Sequence, residues 1–189
     1  NEKTLSFRNV VVFNAYEYYP LQKDSSLRTI NQLKERFLDH VDVAEQNIFT
    51  LDGFVAQDAV QDSCRLYEQR INTFGGLDVA LIGIGRSGNI AANEPGSGIQ
   101  SMTRIILIGN TSREEMENSE QTKETIPPCS LTMGIATLLS AKSIYLTAWG
   151  EEKAEIMQKV VENSITDTLP ASFLQTHPNA HVVIDLGAA

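Results

Sequence analysis

Positive charge, cysteine, histidine and long apolar runs are all scarce in this sequence of 189 residues. Fifteen Lys and Arg stand against twenty-four Asp and Glu, a net charge of −9. That balance argues against nucleic acid as a partner, because duplex binding rests on Lys and Arg neutralising phosphates. An anionic small molecule would need local donors rather than the global field. Two cysteines, Cys64 and Cys129, exclude a disulfide framework and predict two buried free thiols in a reducing, cytoplasmic setting. Of three histidines, His40 and His181 carry no catalytic or metal-ligand spacing, so neither a metal nor a cofactor is expected. No apolar run approaches the ~18 residues of a membrane span; the longest, 10–13 and 79–84, are strand-sized. Asn1 is not an initiator methionine and no signal segment follows it, so the chain reads as a piece of a longer protein.

What is present alternates short β-branched runs with longer amphipathic ones. Residues 9–13 read as a buried strand. Leu27, Ile30, Leu33, Phe37 and Leu38 recur at helical steps, with Asp24, Ser25 and Ser26 as candidate caps. Residues 55–74 form a second amphipathic helix, ended by Gly75 and Gly76. Strands are expected at 78–84, 104–108, 143–148 and 180–186, and helices at 131–139, 151–161 and 171–174. Strands separated by helices predict a single α/β domain over 1–189. Its sheet is mostly parallel, doubly wound and Rossmann-like, with helices on both faces.

The most specific stretch is Gly83-Ile84-Gly85-Arg86-Ser87-Gly88-Asn89-Ile90-Ala91-Ala92-Asn93-Glu94-Pro95-Gly96. It is a glycine-rich loop at the carboxyl end of a strand, where open α/β sheets hold their ligands. On spacing alone it satisfies G-x-G-x-x-G only formally, since no acidic partner follows about twenty residues on. The stretch resembles the signature of the glucosamine-6-phosphate deaminase/isomerase family, G-x-G-x-[DNT]-G-H-I-[AG]-F-N-E-P. More of the chain is similar to that family: Phe13-Asn14-Ala15-Tyr16-Glu17-Tyr18, Phe37-Leu38-Asp39-His40-Val41-Asp42, Leu131-Thr132-Met133-Gly134, Gly150-Glu151-Glu152-Lys153-Ala154 and Leu174-Gln175-Thr176-His177-Pro178. The family is related to the 6-phosphogluconolactonases.

The resemblance implies a small-molecule sugar phosphate as partner and a possible homo-oligomer. It implies a reaction in which an amino-sugar phosphate ring opens, a proton moves between carbons 2 and 1, and ammonia leaves. That chemistry needs a carboxylate base, an imidazole shuttle, an acid orienting the imidazole, and donors for the phosphate. The family's base falls at Tyr16, its orienting acid at Ser87 and its imidazole at Asn89; only Glu94 is retained. Gly85, Gly88 and Lys153 are the expected substrate-binding positions. A clamping arginine of the family falls at Asn118, and the family's N-terminal strand and phosphate loop are absent. The expectation is a catalytically degenerate domain with a residual sugar-phosphate pocket. The alternative is an active isomerase/deaminase completed by further segments or a partner subunit; a lactonase is third.

Blander roles stand beside these. Glu94 could serve its own turn, Asn89 could be a turn residue, and Lys153 a solvated face. Tyr16, Tyr18 and Tyr19 read as packing, and His177 as structural. The acidic run 114–124 reads as a solvated helix or loop, with a lid as the lesser possibility.

Overall fold

Among residues 5–119 and 124–189, which the computed structural model describes, eight strands alternate with five α-helices and several 3-10 turns. The central sheet is parallel. β4 (Val79–Gly83) and β8 (Ala180–Ile184) flank β7 (Ser143–Ala148), with Leu81 opposite Tyr145 and Tyr145 opposite His181. A second parallel pair joins β1 (Val12–Phe13) to β3 (Ile48–Phe49). A separate antiparallel sheet runs β2 (Tyr16–Tyr19), β6 (Cys129–Thr132), β5 (Arg104–Leu107), with β6 in the middle. The α/β class and the parallel central sheet are as expected.

The helices are α1 (Thr29–Arg36), α2 (Val60–Thr73), α3 (Asn110–Ser119), α4 (Ile135–Leu139) and α5 (Ala154–Glu162). One face of the central sheet, Ala80, Ile82, Ile144, Leu146 and Ala148, is buried in a core shared with Cys64, Tyr67 and Ile71 of α2, Leu138 of α4 and Met157 and Val160 of α5. The opposite face is not covered alike. Val79, Leu81, Tyr145 and Val183 lie on it by register and stay exposed, Leu81 at 72%. A parallel sheet is ordinarily buried on both faces, which is why an unbroken apolar run such as 79–84 reads as fully buried. Here only alternate residues of that run are buried.

Several local expectations change. The strand expected over 9–13 shortens to β1, because Arg8 and Asn9 make a turn. Leu131 and Thr132 belong to strand β6, and the helix expected over 131–139 begins only at Ile135. β2 was not expected at all. Asp24, Ser25 and Ser26 do not cap α1. Ser25 and Ser26 donate instead to Glu124 at 2.6 Å, and the Thr29 N–H at the start of α1 is met by the carboxylate of Glu17 at 3.0 Å. Cys64 is buried and Cys129 half-buried, and burial raises both thiols above their ordinary range. Among the described residues no helix is long and apolar enough to cross a membrane. Residues 120–123 of the acidic run lie outside the described residues; 110–119 form α3.

Candidate functional site

β4 ends at Gly83, and the following loop folds back on itself through bridges between Ile84 and Ile90 and between Ile90 and Asn93. Asn93 fixes this loop from within. Fully buried, it donates to the carbonyls of Ile90 (3.0 Å) and Met133 (2.7 Å) and accepts from Arg104 Nη1 at 2.9 Å. Arg104 also donates to Ser97 Oγ at 2.8 Å, so its cation is spent on scaffolding. The Ala92 N–H bonds to Thr132 Oγ1 at 3.1 Å, tying the loop to β6. Through these contacts the antiparallel sheet sets where Asn89 and Glu94 sit.

A cavity of about 370 Å³ opens beside the loop, lined among others by Ala15, Tyr16, Gly85, Asn89, Ser112 and Glu115. This is within the usual size of a small-molecule pocket. Tyr16 and Asn89 therefore meet in one place. Gly85 belongs there too: a Cβ on it would fall 1.8 Å from Asn89 Oδ1, so only glycine lets the amide approach the backbone this closely. Gly88 does not line the cavity. It adopts φ +76°, and its Cα faces Leu169 and Ile156, so its glycine is required by the turn.

Behind Asn89 lies a directed chain of hydroxyls. Asn89 Nδ2 donates to Ser112 Oγ at 3.2 Å, and Ser112 and Ser87 share a bond of 3.2 Å. Ser87 Oγ reaches Glu94 Oε2 at 3.5 Å, a weak contact. If Ser87 gives its proton to the carboxylate, Ser112 must give its own to Ser87, and every donor points toward Glu94. Glu94 is 7% exposed, outside the cavity's immediate lining, with Gly109 against it. Among the described residues, Asn89 Oδ1 and Glu94 Oε1 are buried acceptors with no donor. Buried acceptors are normally met, and of these two orphans one belongs to Asn89, which lines the cavity, and the other to Glu94, which does not.

Lys153 is not a solvated face residue. Its side chain is 13% exposed and pairs with Glu115 of α3, itself 25% exposed. The other Glu115 oxygen accepts the Arg86 N–H of the glycine loop at 2.9 Å. The expectation of a purely solvated acidic run therefore fails at Glu115. Sequence reasoning missed Glu115 and Ser112 as site residues; helical spacing from Ser112 to Glu115, three apart on one face, was the available signal.

The remaining aromatic and imidazole candidates divide cleanly. Tyr18 and Tyr19 are core residues, as packing predicts, whereas Tyr16 stands at the cavity, edge-on to Tyr18 at 6.1 Å. His177 Nδ1 accepts the Asn179 N–H at 3.2 Å, so Nε2 carries the proton and donates to the Ala141 carbonyl at 2.8 Å. His40 is bonded to the Glu35 carbonyl, and His181 to Asn179 Oδ1 while stacking on Tyr145 at 4.8 Å. Among the described residues no group of three or more His, Cys, Asp or Glu is gathered to hold a metal.

Residues 1–183 match the family model described as glucosamine-6-phosphate isomerases/6-phosphogluconolactonase. A glucosamine-6-phosphate deaminase-like protein of Bacteroides thetaiotaomicron is 58% identical over 188 residues, which is 100% of this chain but 28% of that protein. The glucosamine-6-phosphate deaminase of Shewanella halifaxensis is 38% identical over 188 residues, 100% of this chain and 71% of its own. The solved structure of a monomeric glucosamine-6-phosphate deaminase superposes with a TM-score of 0.91 at 35% identity, covering 97% of this chain and 76% of that one. A 6-phosphogluconolactonase from Trypanosoma brucei, at 20% identity and a TM-score of 0.67, covers 94% of this chain and 72% of its own and shares the fold.

Proposed function

The chain belongs to the glucosamine-6-phosphate isomerase/6-phosphogluconolactonase family, and on that premise we propose that it is a degenerate member: a domain with a sugar-phosphate-type pocket but without the groups that move a proton between sugar carbons. The observation that carries the reading is the make-up of the pocket. Tyr16 and Asn89 line it, Ser87 stands behind, and each of the three imidazoles is engaged elsewhere. A phenol ionising near ~10 is a poor base at neutral pH, and an amide cannot take and return a proton. Of the family's acid–base positions Glu94 alone keeps an acid, and the carboxylate on the cavity wall, Glu115, is engaged by Lys153 and the Arg86 N–H. Losing one general base typically costs about 10²–10⁴ in rate.

Binding is a separate matter. Asn89 Oδ1 and Glu94 Oε1 suit the hydroxyl and amine hydrogens of an amino sugar, and Lys153, paired with Glu115 of the cavity wall, offers a cation for its phosphate. The test is ammonia release from glucosamine 6-phosphate by the purified chain, beside calorimetric binding of the same compound. Binding without turnover is the expected result; turnover at an ordinary enzyme rate, roughly 1–10³ s⁻¹, would overturn the proposal.

A second reading is an active isomerase/deaminase completed by a further segment or a partner subunit. The bare apolar face of the central sheet, with Leu81 72% exposed, favours it. Ammonia release that appears only when the chain is assayed within a longer polypeptide would select it. Self-association is a proposal of the same kind, tested by light scattering; the structurally similar deaminase is described as monomeric.

A further inference from the structure

We infer that Glu115 is an internal counter-anion that sets how strongly this pocket accepts a phosphate, a specificity-determining residue built into α3. The inference rests on the reading of the pocket as a sugar-phosphate site. Its basis is the position of one carboxylate. Glu115 bridges the Lys153 ammonium and the Arg86 N–H of the glycine loop, one oxygen on each. A cation and a loop N–H are two kinds of donor with which proteins hold phosphate oxygens. Glu115 therefore stands where an anion would stand, at the wall of the same cavity as Gly85 and Asn89.

Two further cations are held by the scaffold, and the Arg86 side chain lies exposed on the loop. Arg104 is held by Asn93 and Ser97, and Arg113 donates to the carbonyls of Ile126 and Pro127 at 2.6 and 3.1 Å. An arriving phosphate must displace Glu115 from Lys153 and leave that carboxylate near a second negative charge. A ligand without phosphate meets no such contest. The pocket is thus biased toward neutral or amine-bearing sugars, and the bias resides in a single side chain.

The test is calorimetric titration of glucosamine 6-phosphate and of glucosamine into the wild-type chain, Glu115→Gln, Lys153→Met and the double variant, each checked for folding by circular dichroism. The expected result is at least about tenfold tighter binding of glucosamine 6-phosphate by Glu115→Gln, with glucosamine changed less than about twofold. The gain should vanish in the double variant. Should Glu115→Gln unfold, Glu115→Asp, too short to span both donors, is expected to give a smaller gain in the same direction. Glucosamine 6-phosphate binding that is unchanged or weakened by these variants, while glucosamine still binds, overturns the role of Glu115 and leaves the pocket reading standing. Equal tightening of both ligands also overturns it, because the effect is then general opening rather than competition between anions. Failure of every form to bind either ligand overturns both readings.

Discussion

Two buried glutamates, one on β2 and one in the glycine-rich loop, receive opposite treatment. Glu17 is 2% exposed, and its carboxylate accepts the N–H groups of Tyr18 and Thr29, each at 3.0 Å. Glu94 is about as deeply buried, yet it receives one weak hydroxyl contact and keeps an oxygen without a donor among the described residues. Burial of a carboxylate is costly unless donors meet it. In the first region the fold supplies those donors, and the carboxylate works as scaffold by holding the start of α1. In the second the fold withholds them. The contrast separates an acid met by the fold from one left with an unmet acceptor, although exposure alone would class them together.

The largest effect should come from truncating the scaffold acid. Glu17→Ala strands two N–H groups in the core and removes the stem packed against Gly53, and the expected loss is about 2–4 kcal/mol by urea unfolding. Glu94→Ala gives up only a long contact from Ser87, so it should cost less than about 1 kcal/mol. Equal losses would erase the distinction between the two regions. Binding should invert the order. Glu94→Ala is expected to weaken glucosamine binding by about tenfold, as for loss of a hydrogen bond to a charged group. Glu17→Ala, in whatever fraction folds, should leave the affinity of the folded form within about twofold.

The sequence makes the loop region far more legible than the acids that meet it. Gly83 to Glu94 is contiguous, so its glycines, Asn89 and Glu94 announce a strand-end loop by local order alone. Tyr16 reaches the same cavity only because β2 pairs with β6, and β2 carries no apolar run: Tyr16-Glu17-Tyr18-Tyr19 places an acid among aromatics. β6 hides for the converse reason, since its buried Ser130 and Thr132 break the apolar signature and Leu131 happens to fall in step with the helix that follows. The cap of α1 comes from twelve residues upstream, and the Lys153–Glu115 pair spans thirty-eight. Pairings of that range follow from topology, which propensity and spacing do not encode.

The smallest expected effect concerns pH and isolates Glu17 from the rest of the chain. Burial raises its carboxyl above the ordinary 4.5, against the opposing pull of the Thr29 and Tyr18 N–H groups. The native state therefore holds this proton to higher pH than the unfolded chain does. The ionised form burdens the fold above the native pKa; as pH falls through that value the burden lifts, and it is gone below the unfolded value. Asp42, Glu124 and Asp185 run the other way. Hydrogen bonds from Ser6, from Ser25 and from the Gly150 N–H respectively lower their pKa values, so their contributions are present at neutral pH and are lost as pH falls through the lowered values. Those losses are common to the wild-type chain and to Glu17→Gln and cancel between them. Urea unfolding of both from pH 7 downward should then find the wild type gaining on the variant as pH falls toward 4.5. A difference that stays flat would mean that the donors around Glu17 offset its burial, and one that reverses would mean that they outweigh it.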